Sequence, residues 1–350
     1  MPEDRASNFA VEPFLPRRVF RGGHAQTIAG NFLRRRNLLP APEERLFEVE
    51  PGIQVLCHCH WQTERSSAMT LIVVHGLEGS VESGYMIGTG SKAWAAGMNV
   101  VRMNMRNCGG TEHLGPSLYN SSMSADVGAV AQTLIADEKL SAISLVGYSM
   151  GGNLVLKLLG EWGSDAPPQV KAGVGISPAM DLAASADALH DLANRIYEYR
   201  FLRGLRSRIR RKAELYPGIY DLQYLRGLRS LREFDDQITA RYCGFAGAQD
   251  YYTRAASANV LDRIAVPTLV LHAEDDPFIR ILPDTRHKLL NNPNITFIET
   301  ASGGHCAFLA VPNGYDGRWA ERQTVRFIQA IIGCTPAAGL ASPATPDRTA

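Results

Sequence analysis

The fold of this 350-residue chain is decided by the stretch Ile143-Ser144-Leu145-Val146-Gly147-Tyr148-Ser149-Met150-Gly151-Gly152-Asn153-Leu154. Its apolar first part predicts a buried strand, its last part opens a helix, and the pattern G-x-S-x-G lies between them. A serine hydroxyl is a weak nucleophile, so it needs an exposed place on a tight strand-to-helix turn, near the positive end of the helix. The glycines leave room for that turn, because side chains there would collide with neighbouring backbone. We therefore predict that Ser149 is a nucleophile; the alternative is a glycine-rich turn without chemistry.

Outward from this stretch, short apolar runs alternate with longer segments of helical period. Two alternating runs around Pro51-Gly52 predict an antiparallel hairpin. Continuous apolar runs suit strands that are buried on both faces, and their alternation with helices predicts a mostly parallel, doubly covered sheet. The predicted strands are 46–50, 54–60, 70–74, 98–103, 142–146, 170–176, 267–271 and 295–298, and the predicted helices are 84–96, 122–138, 152–162, 283–290 and 318–332.

One long interval lacks any strand pattern. It covers about 85 residues of helical character, which is too long for a loop and predicts an inserted helical cap. The last residues are small and Pro-bearing, so they cannot bury enough surface to become ordered. The predicted division is an irregular lead-in at 1–44, a core at 45–177 and 263–333, the cap at 178–262 and a disordered tail at 334–350.

The base and the acid should follow the serine in the chain, in the order Ser, Asp or Glu, His. His305 is the best placed of nine histidines, since it lies in a Gly-Gly loop between the last predicted strand and the last predicted helix. The ordinary pKa of a histidine side chain lies near neutrality, so His305 can accept and return a proton near neutral pH. Glu274, Asp275 and Asp276 follow a predicted strand, and one of them should orient His305. The residues alone do not choose among the three.

The reaction also needs two N–H donors for the oxyanion. Met150 follows the nucleophile and supplies the first, while the glycine loop after the strand 70–74 offers Leu77 as the second. His75 precedes the serine in the chain, so we interpret it as a packing and hydrogen-bonding residue rather than a base.

Several blocks together resemble the YheT-like family of α/β-hydrolases, which is related to eukaryotic lipid-acting members of that fold. The resemblance implies the α/β-hydrolase fold, Asp276 as the acid, and hydrolysis of short-chain carboxylic esters or acylglycerols without a cofactor. Two positions depart from the family pattern, since Ala25 replaces a leucine and Asn107 a glycine. The blocks are His24-Ala25-Gln26-Thr27, His75-Gly76-Leu77-Glu78-Gly79-Ser80, Asn104 to Gly110, Gly147 to Asn153, Ala273 to Phe278 and Gly303-Gly304-His305.

The catalytic prediction is a carboxylic ester hydrolase. Ser149, activated by His305, attacks the ester carbonyl, and water then releases the acid from the acyl-enzyme. Two alternatives stay open: an acyltransferase that uses the same residues, and a catalytically silent binding scaffold. A silent scaffold would be expected to lose one of the three residues.

Composition narrows the partners and the compartment. A formal net charge of +1 gives no global reason to expect nucleic-acid binding. The chain starts without a signal-peptide pattern and contains no long apolar run, and its six scattered cysteines suit reduced thiols. We therefore expect a cytoplasmic protein with a small acyl ester as substrate.

Two cysteine motifs invite other interpretations. In the run Cys57-His58-Cys59-His60, strand alternation places the thiols on one side and the imidazoles on the other, so no metal site is predicted. Cys306 is interpreted as a small packed residue rather than a reactive thiol.

A basic stretch of the cap allows two interpretations. Apolar Phe201, Leu202, Leu205 and Ile209 are interleaved with cationic residues, as in an amphipathic helix. This helix could rest on anionic lipid, or it could be a solvated face paired with acids, which we favour. The cations are Arg195, Arg200, Arg203, Arg206, Arg208, Arg210, Arg211 and Lys212.

Overall fold

An eight-stranded sheet forms the centre of the computed structural model, which describes residues 9–333. The strand order is β1-β2-β4-β3-β5-β6-β7-β8. β1 and β2 pair antiparallel, β2 joins β4 antiparallel, and the other pairs are parallel. The strands are β1 Glu43–Glu50, β2 Ile53–His60, β3 Thr70–Val74, β4 Asn99–Met103, β5 Ile143–Tyr148, β6 Val170–Ile176, β7 Thr268–Ala273 and β8 Ile295–Thr300.

Both faces of the sheet are covered by helices. In β3, Ile72 and Val74 join the core on one face, whereas Leu71 and Val73 join the core on the other, because successive strand residues point to opposite sides. The first core is completed by the helices Ser124–Asp137 and Met150–Trp162, and the second by Gly84–Ala95 and Trp319–Ile331. This arrangement confirms the predicted fold class. The helices of the core are α2 Gly84–Ala95, α3 Ser124–Asp137, α4 Met150–Trp162, α10 Pro283–Asn291 and α11 Trp319–Ile331.

Helices fill the interval between β6 and β7, and no strand occurs in it. The longest is α6, whose residues Leu202, Leu205 and Ile209 are buried. A π-helical turn at Asp235–Ala240 connects two short helices. The limits 178–262 for this cap stay a prediction. Its helices are α5 Leu182–Leu189, α6 Arg195–Leu215, α7 Leu231–Phe234, α8 Arg241–Cys243 and α9 Ala248–Ala255.

The lead-in is not irregular throughout, so that part of the prediction is wrong. Helix α1 covers Gly23–Phe32 and buries Gly23, Gln26 and Gly30 along one face. Glycine has low helix propensity, so this helix has little local signal and must be stabilised by its packing. The predicted disordered tail at 334–350 lies outside the described residues.

Within residues 9–333, no helix combines the length and the apolar character that crossing a bilayer requires.

Candidate active site

Ser149 lies at the sharp turn between β5 and α4, with φ 55° and ψ −117°. This conformation is strained for a non-glycine residue, and such strain is common at functional sites. A Cβ atom on Gly147 would lie 2.1 Å from the carbonyl oxygen of Gly151. A Cβ atom on Gly151 would lie 2.4 Å from the carbonyl oxygen of His75. The turn can therefore form only with glycine at these two positions.

Three predicted residues from distant parts of the chain meet at this turn. The Oγ of Ser149 lies 2.9 Å from Nε2 of His305, and Nδ1 of His305 lies 2.8 Å from Oδ2 of Asp276. Both distances lie in the range of hydrogen bonds, which the predicted roles of nucleophile, base and orienting carboxylate require. The imidazole can therefore accept the serine proton while its other nitrogen donates to the carboxylate.

The three neighbouring carboxylates have different environments. Glu274 is exposed, and Asp275 accepts a hydrogen bond from the N–H of Gly304 at 2.8 Å through Oδ1. Asp276 is buried, and its Oδ1 accepts from the N–H groups of residues 278 and 279. Only Asp276 reaches the imidazole of His305.

Burial and charge set the protonation of this pair. Burial alone would raise the pKa of Asp276, but the charge and hydrogen bond of His305 outweigh it, so this pKa lies below its ordinary value. Burial opposes the imidazolium of His305, but Cys306 and Asp276 raise the pKa of His305 above that of an ordinary histidine. The surroundings of His305 therefore stabilise its imidazolium form.

The two proposed oxyanion donors lie beside the nucleophile. Leu77 and Met150 line the same pocket as Ser149, and a Cβ atom on Gly76 would lie 3.5 Å from the serine Oγ. In the part of the chain that the structure describes, neither the Leu77 N–H nor the Met150 N–H donates to another group. Both donors are therefore available for a substrate oxygen.

His75 holds the loop that carries Leu77. Its Nε2 accepts a hydrogen bond from the N–H of Met105 at 3.1 Å, so its Nδ1 donates to the carbonyl of Gly76 at 2.8 Å. Burial lowers the pKa of His75 to about 4, which keeps the ring neutral. This role agrees with the interpretation of His75 as a hydrogen-bonding residue.

A contact that the sequence did not reveal joins this loop to the cap. Glu78 follows Leu77 in a left-handed conformation, with φ 57°. Its Oε1 accepts hydrogen bonds from Tyr119 at 2.7 Å and from Arg208 of α6 at 3.0 Å. Arg208 also donates to the carbonyl of Asn107, a residue with φ 61° where asparagine is tolerated better than most. The cap thus fixes the loop behind the oxyanion site.

Helix α1 supports the other side of the site. The Oγ1 of Thr27 accepts a hydrogen bond from the backbone N–H of His305 at 2.8 Å. The side chain of Gln26 accepts from the N–H of Leu309 at 2.8 Å and donates to its carbonyl at 3.3 Å. The sequence block 24–27 therefore anchors the loop of the candidate base, although sequence reasoning used it only as a mark of resemblance.

A pocket opens between Ser149 and the cap. Concave sites of this kind are where small-molecule ligands commonly bind. Its walls are mainly apolar, which favours an acyl chain over a polar substrate. The apolar lining includes Leu118, Leu182, Leu189, Phe201, Leu205, Ile209, Leu231, Phe234, Phe278 and Ile279.

One buried carboxylate interrupts this apolar wall. Asp235, at the start of the π-helical turn, accepts hydrogen bonds from Thr239 at 2.7 Å and from Tyr252 at 2.8 Å. Burial raises its pKa to about 6. Sequence reasoning did not single out this residue.

The run from Cys57 to His60 lies in β2, where the two thiols share one face of the strand, as strand alternation predicts. Cys57 and Cys59 face the core that contains α3 and α4, whereas His60 lies beside Arg102, with Nε2 3.3 Å from the guanidinium. Cys306 is buried, and its Sγ lies 3.6 Å from Nε2 of His305.

Comparisons with known proteins agree with this geometry. Residues 70–310 match the family described as alpha/beta hydrolase fold. The chain is 32% identical over 312 residues to YheT of Escherichia coli strain K12, an esterase by name, covering 88% of this chain and 90% of that protein. It is 27% identical over 279 residues to the phospholipase ABHD3 of Mus musculus, covering 78% of this chain and 66% of that protein.

A solved structure is similar in fold. An esterase of Pyrococcus furiosus superimposes with a TM-score of 0.55 and 15% identity, covering 85% of this chain and 96% of that chain. At this identity the likeness concerns the fold alone.

Proposed function

Because the chain belongs to the α/β-hydrolase family, and within it to the YheT-like branch, we propose that it is a serine hydrolase of carboxylic acyl esters. In this proposal Ser149 is the nucleophile, His305 the general base and Asp276 the orienting acid. The observation that carries the proposal is the continuous chain of hydrogen bonds from Ser149 Oγ through the imidazole to Asp276.

The proposed reaction has two steps. Ser149 Oγ attacks the ester carbonyl while His305 Nε2 takes its proton, and the oxyanion accepts hydrogen bonds from the N–H groups of Leu77 and Met150. His305 then protonates the leaving alcohol, which leaves an acyl-enzyme. In the second step His305 takes a proton from water, the hydroxide attacks the acyl carbonyl, and the acid departs as Ser149 regains its proton. No cofactor takes part.

The proposed substrates are short-chain esters or acylglycerols. The apolar lining of the pocket supports an acyl chain, because each methylene that leaves water for such a wall contributes about 0.8 kcal/mol. The names of two relatives support an ester substrate, since YheT is named an esterase and ABHD3 a phospholipase.

The test is replacement of the nucleophile. We expect Ser149→Ala to lose labelling by an active-serine phosphonate. It should also hydrolyse a soluble p-nitrophenyl ester at least about 10⁴-fold more slowly, because the hydroxyl that attacks the ester is absent. Ser164→Ala, an exposed serine away from the site, is the matched control and should behave as the parent chain.

The outcomes separate the alternatives. Unchanged hydrolysis by Ser149→Ala would refute the assignment. A parent chain that binds ester but is neither labelled nor active would indicate a silent scaffold. Acyl products formed on an added alcohol or thiol, in preference to free acid, would identify an acyltransferase.

We also propose a cytoplasmic setting. The cysteines at positions 57, 59, 108, 243 and 306 carry free thiols in the structure, which supports a reducing compartment. Cell fractionation with an antibody to the chain would test this placement.

A further inference from the structure

The outward side of α6 and the segment before it expose large apolar side chains. Leu192 is 85% exposed, Ile196 70% and Tyr199 65%, and their spacing places them along one stripe. The other side of the helix is occupied, since Leu205 and Ile209 are buried and line the pocket. The exposed apolar stripe, which could contact a partner, therefore lies on a different face of α6 from Leu205 and Ile209, which belong to the apolar face that the sequence indicates.

The cations of α6 divide into two groups. Arg206, Arg208 and Lys212 turn inward and donate to carbonyl oxygens of the protein. Arg211 pairs with Glu214 at 3.1 Å. Four others are exposed, and no carboxylate among residues 9–333 lies within 4.0 Å of them: Arg195, Arg200, Arg203 and Arg210. Acid pairing therefore accounts for Arg208 and Arg211 but not for these four exposed arginines among the described residues.

Helix α1 presents a similar surface. Ile28 is 45% exposed and Phe32 73% exposed, one helical turn apart. The sequence from residue 13 to residue 42 contains six arginines and neither Asp nor Glu. Arg17 and Arg35 have partners in the core, whereas four exposed arginines have no carboxylate within 4.0 Å among the described residues: Arg18, Arg21, Arg34 and Arg36.

The two helices meet beside the candidate active site. His24 at the start of α1 stacks on Tyr197 of α6, with Nδ1 3.0 Å from the hydroxyl. Tyr197 packs on Phe278 at 5.3 Å between ring centroids, and Phe278 packs on His305 at 4.4 Å. Tyr197, which follows the exposed Ile196 in α6, is thus two ring contacts from the imidazole. We call these stripes and their eight unpaired arginines the α1/α6 surface.

We propose that the α1/α6 surface binds the face of an anionic phospholipid bilayer. Apolar side chains enter the acyl boundary of a bilayer, while arginines reach the phosphate level and gain from the negative surface potential. An acidic protein would satisfy the arginines but not the scattered apolar side chains, and a second copy would place arginines against arginines. A bilayer meets both requirements.

This placement would also serve the proposed hydrolysis, on which it does not depend. Esters with long acyl chains reside in bilayers, and a pocket that opens beside a docked surface can receive them without passage through water. The lipid contact accordingly concerns delivery rather than the acyl-transfer steps.

The test is sedimentation of the full chain with vesicles. We expect binding to phosphatidylcholine vesicles that contain about 30 mol % phosphatidylglycerol, weak binding to pure phosphatidylcholine, and release in about 0.5 M NaCl. The chain carrying Ser149→Ala should bind equally, which separates binding from hydrolysis.

Two variants examine the two components. Arg195→Gln/Arg200→Gln/Arg203→Gln should lower the partition coefficient roughly fivefold per arginine. Leu192→Ser/Ile196→Ser should lower binding at every salt concentration, because it removes the apolar component. Both should hydrolyse a soluble short-chain ester normally, which reports an intact fold.

The control positions lie near the amino ends of the parallel strands, at the opposite end of the sheet from Ser149. Lys139→Gln/Lys171→Gln/Arg263→Gln changes the net charge equally, and Leu290→Ser removes an apolar residue that is 65% exposed. Both should bind as the parent chain. Equal binding by the α1/α6 variants and these controls, or absence of binding to anionic vesicles, would overturn the proposal. The proposal would also be overturned if the chain self-associated without binding vesicles and Leu192→Ser/Ile196→Ser abolished that self-association. This result would assign the surface to a second copy of the chain.

Discussion

Asp276 carries the sharpest prediction at the scale of single residues. Its carboxylate is buried and accepts from His305 and from two backbone N–H groups. In Asp276→Asn, an amide facing Nδ1 would disfavour the tautomer that leaves Nε2 free to accept a proton. We expect kcat to fall about 10⁴-fold, as the same change does in the serine-protease triad. Steady-state hydrolysis of a soluble ester measures it.

The neighbouring carboxylates supply the controls. Glu274→Gln should leave kcat unchanged, because Glu274 is exposed. Asp275→Asn should have a small effect, since Asp275 holds the N–H of Gly304 rather than the imidazole. A loss of about 10⁴-fold in either control, with an active Asp276→Asn, would move the acid to the other residue.

The pH dependence of hydrolysis follows from His305. Cys306 and Asp276 raise its pKa above the ordinary value of 6.5, against the effect of burial. Attack by Ser149 needs the neutral imidazole, so activity should fall as the pH drops through this raised pKa. We expect the acid limb of kcat/KM to have its midpoint above pH 6.5. His287→Gln, which changes an exposed histidine, should give the same profile, and a midpoint below 6.5 would contradict the prediction.

At the scale of elements, two helices hold the loops of the site, and each helix is far away in the chain from the loop that it contacts. Helix α1 anchors the loop of His305 through Thr27, 278 residues away in the chain. Helix α6 anchors the oxyanion loop through the pair of Arg208 and Glu78, 130 residues apart. The side chains of this pair are 10% and 16% exposed, so its charges are mostly removed from water and weakly screened. The loops that carry His305 and Leu77 therefore depend on both helices for their positions.

The role of Thr27 as a positioning residue can be measured. Thr27→Val keeps the shape of the side chain but leaves the N–H of His305 without an acceptor, and small displacements of a catalytic group lower rates steeply. We expect kcat for a soluble ester to fall about tenfold to hundredfold while KM changes little. Thr27→Ser restores the acceptor oxygen and should restore kcat. Equal kcat values for the two variants would show that Thr27 serves only stability.

At the scale of the whole molecule, the features of the fold and the site that could be predicted from the sequence are those with a local sequence signal. The turn at Ser149 is visible because the strand, the G-x-S-x-G pattern and the helix follow one another in the sequence, although the carbonyl that excludes a side chain at Gly151 belongs to the distant His75. His305 is visible because chain order and a Gly-Gly loop single it out. Helix α1 and the contact of Arg208 with Glu78 were missed, because glycine-rich helices and long-range pairs are stabilised only by tertiary packing. The resemblance pointed to both segments without giving their role.

The pocket between core and cap leads to a prediction about the whole molecule. Because its walls are apolar, kcat/KM for p-nitrophenyl esters should rise up to roughly fourfold per added methylene until the chain fills the pocket, and then level off. Leu205→Trp adds volume to a buried wall of α6, so the plateau should come at a shorter chain. Ile196→Trp makes the same kind of change on the exposed side of the helix and should leave the chain-length profile unchanged. If Leu205→Trp lowered all esters equally, the acyl chain would have to lie outside this pocket.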